Sequence, residues 1–439
     1  MITFKQIACF LAVLSAILCS GSVYGEKQTI QQSLRIAEDN NPGLSIAREN
    51  ITRTQAVTDL GSAEGLPNIS LDWTYTRSHP QLFTNDFGPP LLITPRSGTM
   101  VELSLSQRLD LLGIANLGRR MAHLGAEQAR HDFETARNNL RYEVKKAYFD
   151  VLHAEDDLCV RERSLAQLSA HLDDANTNFK AGTIARFDVV RAQTQVSNAK
   201  VDLIVARNRV RMSKASFNSI LGRDLSAPVE LEIPELPKYV EPDLAACIAA
   251  ASSSRPEVES ATAQAELARG MVSMAGQGNS PTVEVALNGT RNFTPTLENT
   301  LTSVSSAGIS ADLPIYDAGL TRSAVGQARS DALSANSGLR MAILGVSLDV
   351  RQAFLALREA RQSIVAAGSN LDLAKEGLRL ADVAYRGGAT TQLDVLDAQN
   401  ALTQADFSYA DALYNYHLAE AKLEQAVGGE EQMKKLQAK

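Results

Sequence analysis

Apolar residues recur at alternating steps of three and four between positions 343 and 385, landing on Val346, Val350, Ala353, Leu357, Ala360, Ile364, Ala367, Leu371, Ala374, Leu378 and Ala381. Moved back by 206 residues, the same template runs through Leu140, Val144, Ala147, Val151, Ala154, Ala175 and Phe179, broken at Arg161. A stripe two residues wide per heptad is a coiled-coil seam, so the pattern predicts a long helix over 115–180 and another over 318–386. At about 1.5 Å per residue each approaches ~100 Å. No globular core needs that length, so such helices pack sideways into a bundle, rod or tube. Beyond Gly387-Gly388 the seam resumes, with Ala398, Ala405, Ala412, Ala419 and Ala426 facing Val395, Leu402, Tyr409, Tyr416 and Leu423, which predicts a shorter return helix.

Upstream of each long helix the period changes from 3.5 to 2. Ile69, Leu71, Trp73 and Tyr75 alternate with Ser70, Asp72, Thr74 and Thr76; Val101, Leu103 and Leu105 alternate with Glu102, Ser104 and Ser106. Val283, Val285 and Leu287, then Ala307, Ile309, Ala311 and Leu313, repeat the pattern in the second half. These are amphipathic strands. The segments 67–77 and 281–291 match the roughly 9 to 11 residues of a tilted transmembrane strand. A small soluble antiparallel sheet shows the same alternation, so the strands alone leave both readings open. Four strands cannot close a barrel in one chain, and an open edge cannot sit in lipid. A cyclic homotrimer supplies twelve strands, an even number within the bacterial outer-membrane range. A helical segment precedes each strand pair, over 33–64 and 244–277.

The chain is therefore a tandem duplication. A shift of 206 aligns Ala147-Tyr148 with Ala353-Phe354, Asp188 with Asp394, Ala192-Gln193 with Ala398-Gln399 and Gly222 with Gly428. A shift of 214 aligns Asn41-Pro42 with Arg255-Pro256 and Pro67 with Pro281. Between these blocks Gln128-Ala129-Arg130 fits Gln327-Ala328-Arg329 at 199, seven residues short of 206. One heptad preserves a buried seam, so the insertion supports the helical reading. The expected organisation is a signal segment at 1–25, a first repeat at 26–222, a Pro-rich linker at 223–242, a second repeat at 243–428 and a polar tail at 429–439.

Composition changes this picture little. The 439 residues are 44% hydrophobic and 21% charged, as in a helix-rich soluble protein, not a multi-span membrane protein. Lys5 followed by an apolar run over 7–18 reads as a secretory signal, too short to span a bilayer as a helix, and no other stretch comes close. Leu18 before Cys19 argues against lipidation there. Cys159 and Cys247 are too few and too far apart for a disulfide framework and read as small apolar residues on helices. A net charge of -7 disfavours a nucleic-acid partner. The six histidines have no metal-ligand spacing, and no catalytic triad, Walker or glycine-rich phosphate motif is present, so neither enzyme, metal nor cofactor is expected.

Candidate chemistry gathers at the helix-to-helix turns. Asp394 and Asp397, at i,i+3, share a helix face. Asp394 three residues after Thr391 also suits a helix cap, so capping and a channel role compete for it. Gly182 and Gly387 read as left-handed C-caps. The run from Tyr385 through Arg386, Gly387, Gly388, Ala389, Thr390 and Thr391 to Asp394, Asp397 and Gln399 resembles the tip turn and Asp-Val-Leu-Asp-Ala signature of the TolC-like outer-membrane efflux family. The resemblance spans nearly the whole mature chain.

It implies a trimer in the outer membrane, with twelve strands forming a barrel continued by a periplasmic helical tunnel. It also implies a periplasmic adaptor and an inner-membrane transporter as partners. By that resemblance Asp394 and Asp397 form a cation-selective constriction, Tyr385 and Asp188 make gate contacts, and the tips Ala181-Gly182-Thr183 and Gly387-Gly388-Ala389 meet the adaptor. Thr390 stands where the family carries a gate arginine, with Arg186 or Arg386 as substitutes, and Arg191 stands where the first copy would carry its second acid. The rival expectation is a non-conducting periplasmic coiled-coil scaffold or adaptor. The loop over 78–98 is expected outside the cell.

Overall fold

The computed structural model describes residues 27–63, 65–79, 81–83, 91–94, 96–234, 242–293 and 303–437. The signal segment, residues 80, 84–90 and 95 of the 78–98 loop and the inner part of the linker lie outside the described residues. In chain order the elements are α1 (Ile30–Asn40), α2 (Pro42–Ala63), β1 (Asn68–Arg77), β2 (Gln81–Phe83), β3 (Leu91–Thr94), β4 (Ser97–Leu109), α3 (Ile114–Lys180) and α4 (Arg186–Ile220). The second half gives α5 (Leu244–Ser254), α6 (Pro256–Ala275), β5 (Thr282–Asn292), β6 (Ser303–Asp312), α7 (Leu320–Arg386), α8 (Gln392–Val427) and α9 (Glu430–Gln437). The long helices α3 and α7 are 67 residues each.

Two corrections concern helices. The expected single segments over 33–64 and 244–277 are each broken in two, at Asn41 and at Arg255. Both residues precede proline and take extended backbone, with ψ of 122° and 127°, because the proline ring excludes the helical region for the residue before it. The tail expected at 429–439 contributes the short helix α9, with Glu430 and Glu431 in its first turn and Lys434 and Lys435 in its last, as the helix dipole favours.

The chain forms two compact units, each built from both copies. One comprises 1–44, 137–247 and 349–439, as far as these are described. Its core holds the seam residues Val144, Val151, Val350 and Leu423, with Tyr148, Phe217 and Leu221 fully enclosed. The rings of Tyr148 and Phe217 meet edge to face at 6.1 Å, a contact worth about 1 kcal/mol beyond burial. The Tyr148 hydroxyl lies 2.9 Å from Gln28 O and 2.5 Å from Glu232 O. It thereby anchors two chain segments that also touch through a parallel bridge between Gln28 and Leu231. Burial pushes its phenol up to about 12, so it stays a donor. Gly222, with φ of 68°, ends the first return helix where a Cβ would come within 2.4 Å of Asn40 O, a space only glycine fits.

The other unit, 45–136 and 248–348, carries a four-stranded antiparallel sheet in the order β1-β4-β5-β6. Direct cross-strand pairs put Leu71 opposite Leu103, Leu105 opposite Leu287, and Val285 opposite Ile309, so one face carries apolar side chains on all four strands. The other face pairs Ser70 with Ser104 and Ser106 with Ala286. A two-stranded ribbon, β2 with β3, was not foreseen in the 78–98 loop. Its apolar run is too short to announce its own period. Cys159 is exposed and Cys247 buried, both as free thiols, so the small-apolar reading fits only the second.

Candidate functional site

The two helix-to-helix turns are one backbone structure made twice. Thr183 N–H donates to Asn178 O at 3.0 Å and Gly182 N–H to Phe179 O at 2.9 Å. At a shift of 206, Ala389 N–H donates to Ala384 O at 2.9 Å and Gly388 N–H to Tyr385 O at 3.0 Å. These six-to-one and five-to-two bonds make a Schellman cap, which places its first non-helical residue in the left-handed region. Gly182 (φ 78°) and Gly388 (φ 73°) occupy that position. The expectation for Gly387 is thus corrected by one residue: two adjacent glycines concealed which of them carries the positive φ.

The return helices then begin with equivalent acids in unequal surroundings. Asp188 accepts one bond, from Ala185 N–H at 3.3 Å. Asp394 Oδ2 accepts from Thr391 N–H at 2.8 Å, from the Thr391 hydroxyl at 2.7 Å and from the Thr390 hydroxyl. The Thr390 hydroxyl, then the Thr391 hydroxyl and N–H, hold the Asp394 carboxyl down to about 2. Asp394 is therefore a cap in this chain and stays anionic at any physiological pH, so capping does not cost it its charge. Asp397 is exposed and bonds to no described residue.

A cleft of about 250 Å³ lies between the tips, lined by Ile184, Asp188, Arg191, Tyr385, Gln392 and Leu396. It brings Asp188 and Tyr385 together. Arg386 is instead held by Asp382 on its own helix, at 3.0 Å, and Arg186 does not line the cleft. Arg191 supplies the cleft's guanidinium, and it makes no ion pair with any described residue. Beside this cleft the Gln392 amide donates to Nε2 of His171 at 2.6 Å. His171 is buried in α3, and burial pushes its pKa down, which keeps Nε2 an acceptor.

Comparison with known proteins turns this geometry into a family assignment. The model of the family described as outer membrane efflux protein matches residues 33–223 and 247–429. The chain belongs to the outer membrane efflux proteins. Among its relatives, the outer membrane protein TolC of Vibrio cholerae is 27% identical over 408 residues, covering 89% of each chain. TolC of Escherichia coli is 24% identical over 95% of this chain and 86% of the relative. The crystal structure of the Campylobacter jejuni CmeC outer membrane channel superposes with a TM-score of 0.80 at 16% identity, over 95% of this chain and 94% of that one. This efflux protein is thus an outer-membrane exit duct, a passive conduit and not an enzyme.

Sequence reasoning missed two features of this site. His171 and Gln392 lie 221 residues apart with no shared period, so nothing in the sequence joins them. The cleft role of Arg191 had a signal, since Arg191 stands where the second copy carries Asp397.

Proposed function

We propose that three copies of this efflux protein close their sheets into one twelve-stranded barrel and align their helices into one duct. The observation that carries this is the sheet's apolar face. Ile69, Leu71, Trp73 and Ile309 are 67%, 69%, 67% and 76% exposed in the single chain, a face that lipid would cover. The sheet's edges, β1 and β6, run in opposite directions, so β6 of one copy can meet β1 of the next and continue the antiparallel order. Two copies would give eight strands, a barrel whose interior side chains fill; twelve leave a passage.

On this reading the duct is the exit of a tripartite efflux or secretion system, fed by an inner-membrane transporter through a periplasmic adaptor. The adaptor meets the tips Ala181-Gly182-Thr183 and Gly387-Gly388-Ala389. Asp394 and Asp397, repeated threefold, line a cation-attracting constriction, and Tyr385 with Asp188 ties the two hairpins at the closed end. The repeats 26–222 and 243–428 are the duplicated units that supply alternate hairpins of the wall. Detergent-extracted protein in planar bilayers tests this. Cation-preferring conductance that loses its preference in the D394N/D397N double variant supports it; preference unchanged in that variant removes the acids from the constriction.

A further inference from the structure

Arg191 is the one charged position where the two tips carry opposite signs at equivalent sites. The Schellman bonds and the acids at the third position of each return helix superpose at a shift of 206, so Arg191 holds the place of Asp397, three residues beyond its own Asp188. In a ring of three duplicated chains, equivalent positions of the two copies alternate around the axis at one level. Asp188 and Asp394 then form one ring, all acidic, and Arg191 and Asp397 form the next, of alternating sign. The other candidate cations at the tips are excluded by position: Arg386 is committed to Asp382, and Arg186 precedes the first ring. Arg191 lines the inter-tip cleft with its guanidinium unpaired among the described residues.

We propose that Arg191 limits the charge selectivity of the constriction, setting three guanidinium groups among three Asp397 carboxylates so that organic and inorganic anions pass a ring that six acids would close to them. The inference rests on the constriction reading above. Guanidinium groups remain charged at every physiological pH and offer paired donors to carboxylate and phosphate groups, which makes them suited to passing anionic cargo. Each charge within about 8 Å of a permeating ion changes its local concentration about twofold in a water-like dielectric.

The test is the reversal potential of the full-length channel in planar bilayers under a potassium chloride gradient, for the wild type, R191Q, R191D, R191K and D397N. The expected result is a cation-to-anion permeability ratio that rises roughly severalfold in R191Q and further in R191D, returns to the wild-type value in R191K, and falls in D397N. If R191D fails to assemble, R191Q carries the test. Ratios unmoved by R191Q and R191D while D397N lowers its own overturn this proposal and leave the acidic constriction standing. Ratios unmoved by every variant, D394N/D397N included, overturn both.

Discussion

The two tips of this protein share every backbone bond of the turn and differ in the chemistry hung on it. The first returns through Ala181-Gly182-Thr183 to an Asp188 with one long hydrogen bond and an Arg191. The second returns through Gly387-Gly388-Ala389 to an Asp394 with three donors and an Asp397. Duplication conserved what the fold requires, a left-handed residue closing a Schellman cap. It left free the positions that the turn does not use, and those are where charge diverged.

The comparison breaks most visibly if the shared turn is attacked. Replacing Gly182 or Gly388 by Val puts a β-branched residue at positive φ with no compensating contact, since nothing lies within 4 Å of either Cβ position. Each is expected to cost about 1–3 kcal/mol, and the two by equal amounts. Chemical denaturation of the purified assembly reads this, and a marked inequality would mean that the two tips do not share a turn.

A smaller effect separates the caps. Asp394→Ala is expected to raise hydrogen exchange in the first turn of α8 about fivefold, while Asp188→Ala raises it in the first turn of α4 by about twofold or less. Equal increases would show that the threonine hydroxyls add nothing at the second tip.

Acid should separate the tips further. A carboxyl whose pKa is lowered by folding contributes stability above its unfolded value, lost as pH falls through the folded one. The Asp394 cap is thus expected to hold unchanged from neutrality to about pH 4 and to fail toward pH 2. His171 works at milder acidity. Its pKa is lowered by burial, so the unfolded chain binds the proton first, and the contribution to stability is complete above the ordinary imidazole value and declines as pH falls below it. Protection factors around Gln392, which take out the intrinsic pH dependence of amide exchange, should therefore fall modestly between pH 7 and pH 5, and H171Q should flatten that response. Protection factors that still fall with pH in H171Q would assign the effect to another group.

How far the sequence announces this molecule depends on the kind of feature. Seams such as Val144-Val151 and Val350-Leu357 are legible because a buried helix face repeats every 3.5 residues over many turns, and Val144, Val151, Val350 and Leu357 are all buried. The strand faces are legible for the same reason at a period of two. Breaks are less so: Asn41 and Arg255 interrupt apolar periodicity for a single residue, and the restraint imposed by Pro42 and Pro256 outweighs it. The acids at the tips are legible as positions, but their strength is not, because it depends on hydroxyl rotamers at Thr390 and Thr391. A contact such as His171 to Gln392 joins α3 to α8 side by side, and no spacing along the chain encodes which pair meets.

The central claim is that one chain supplies a third of a closed barrel. Native mass spectrometry of the detergent-extracted protein tests it most directly. A single dominant species of three copies is predicted; a monomer, or a closed species of any other copy number, would contradict it.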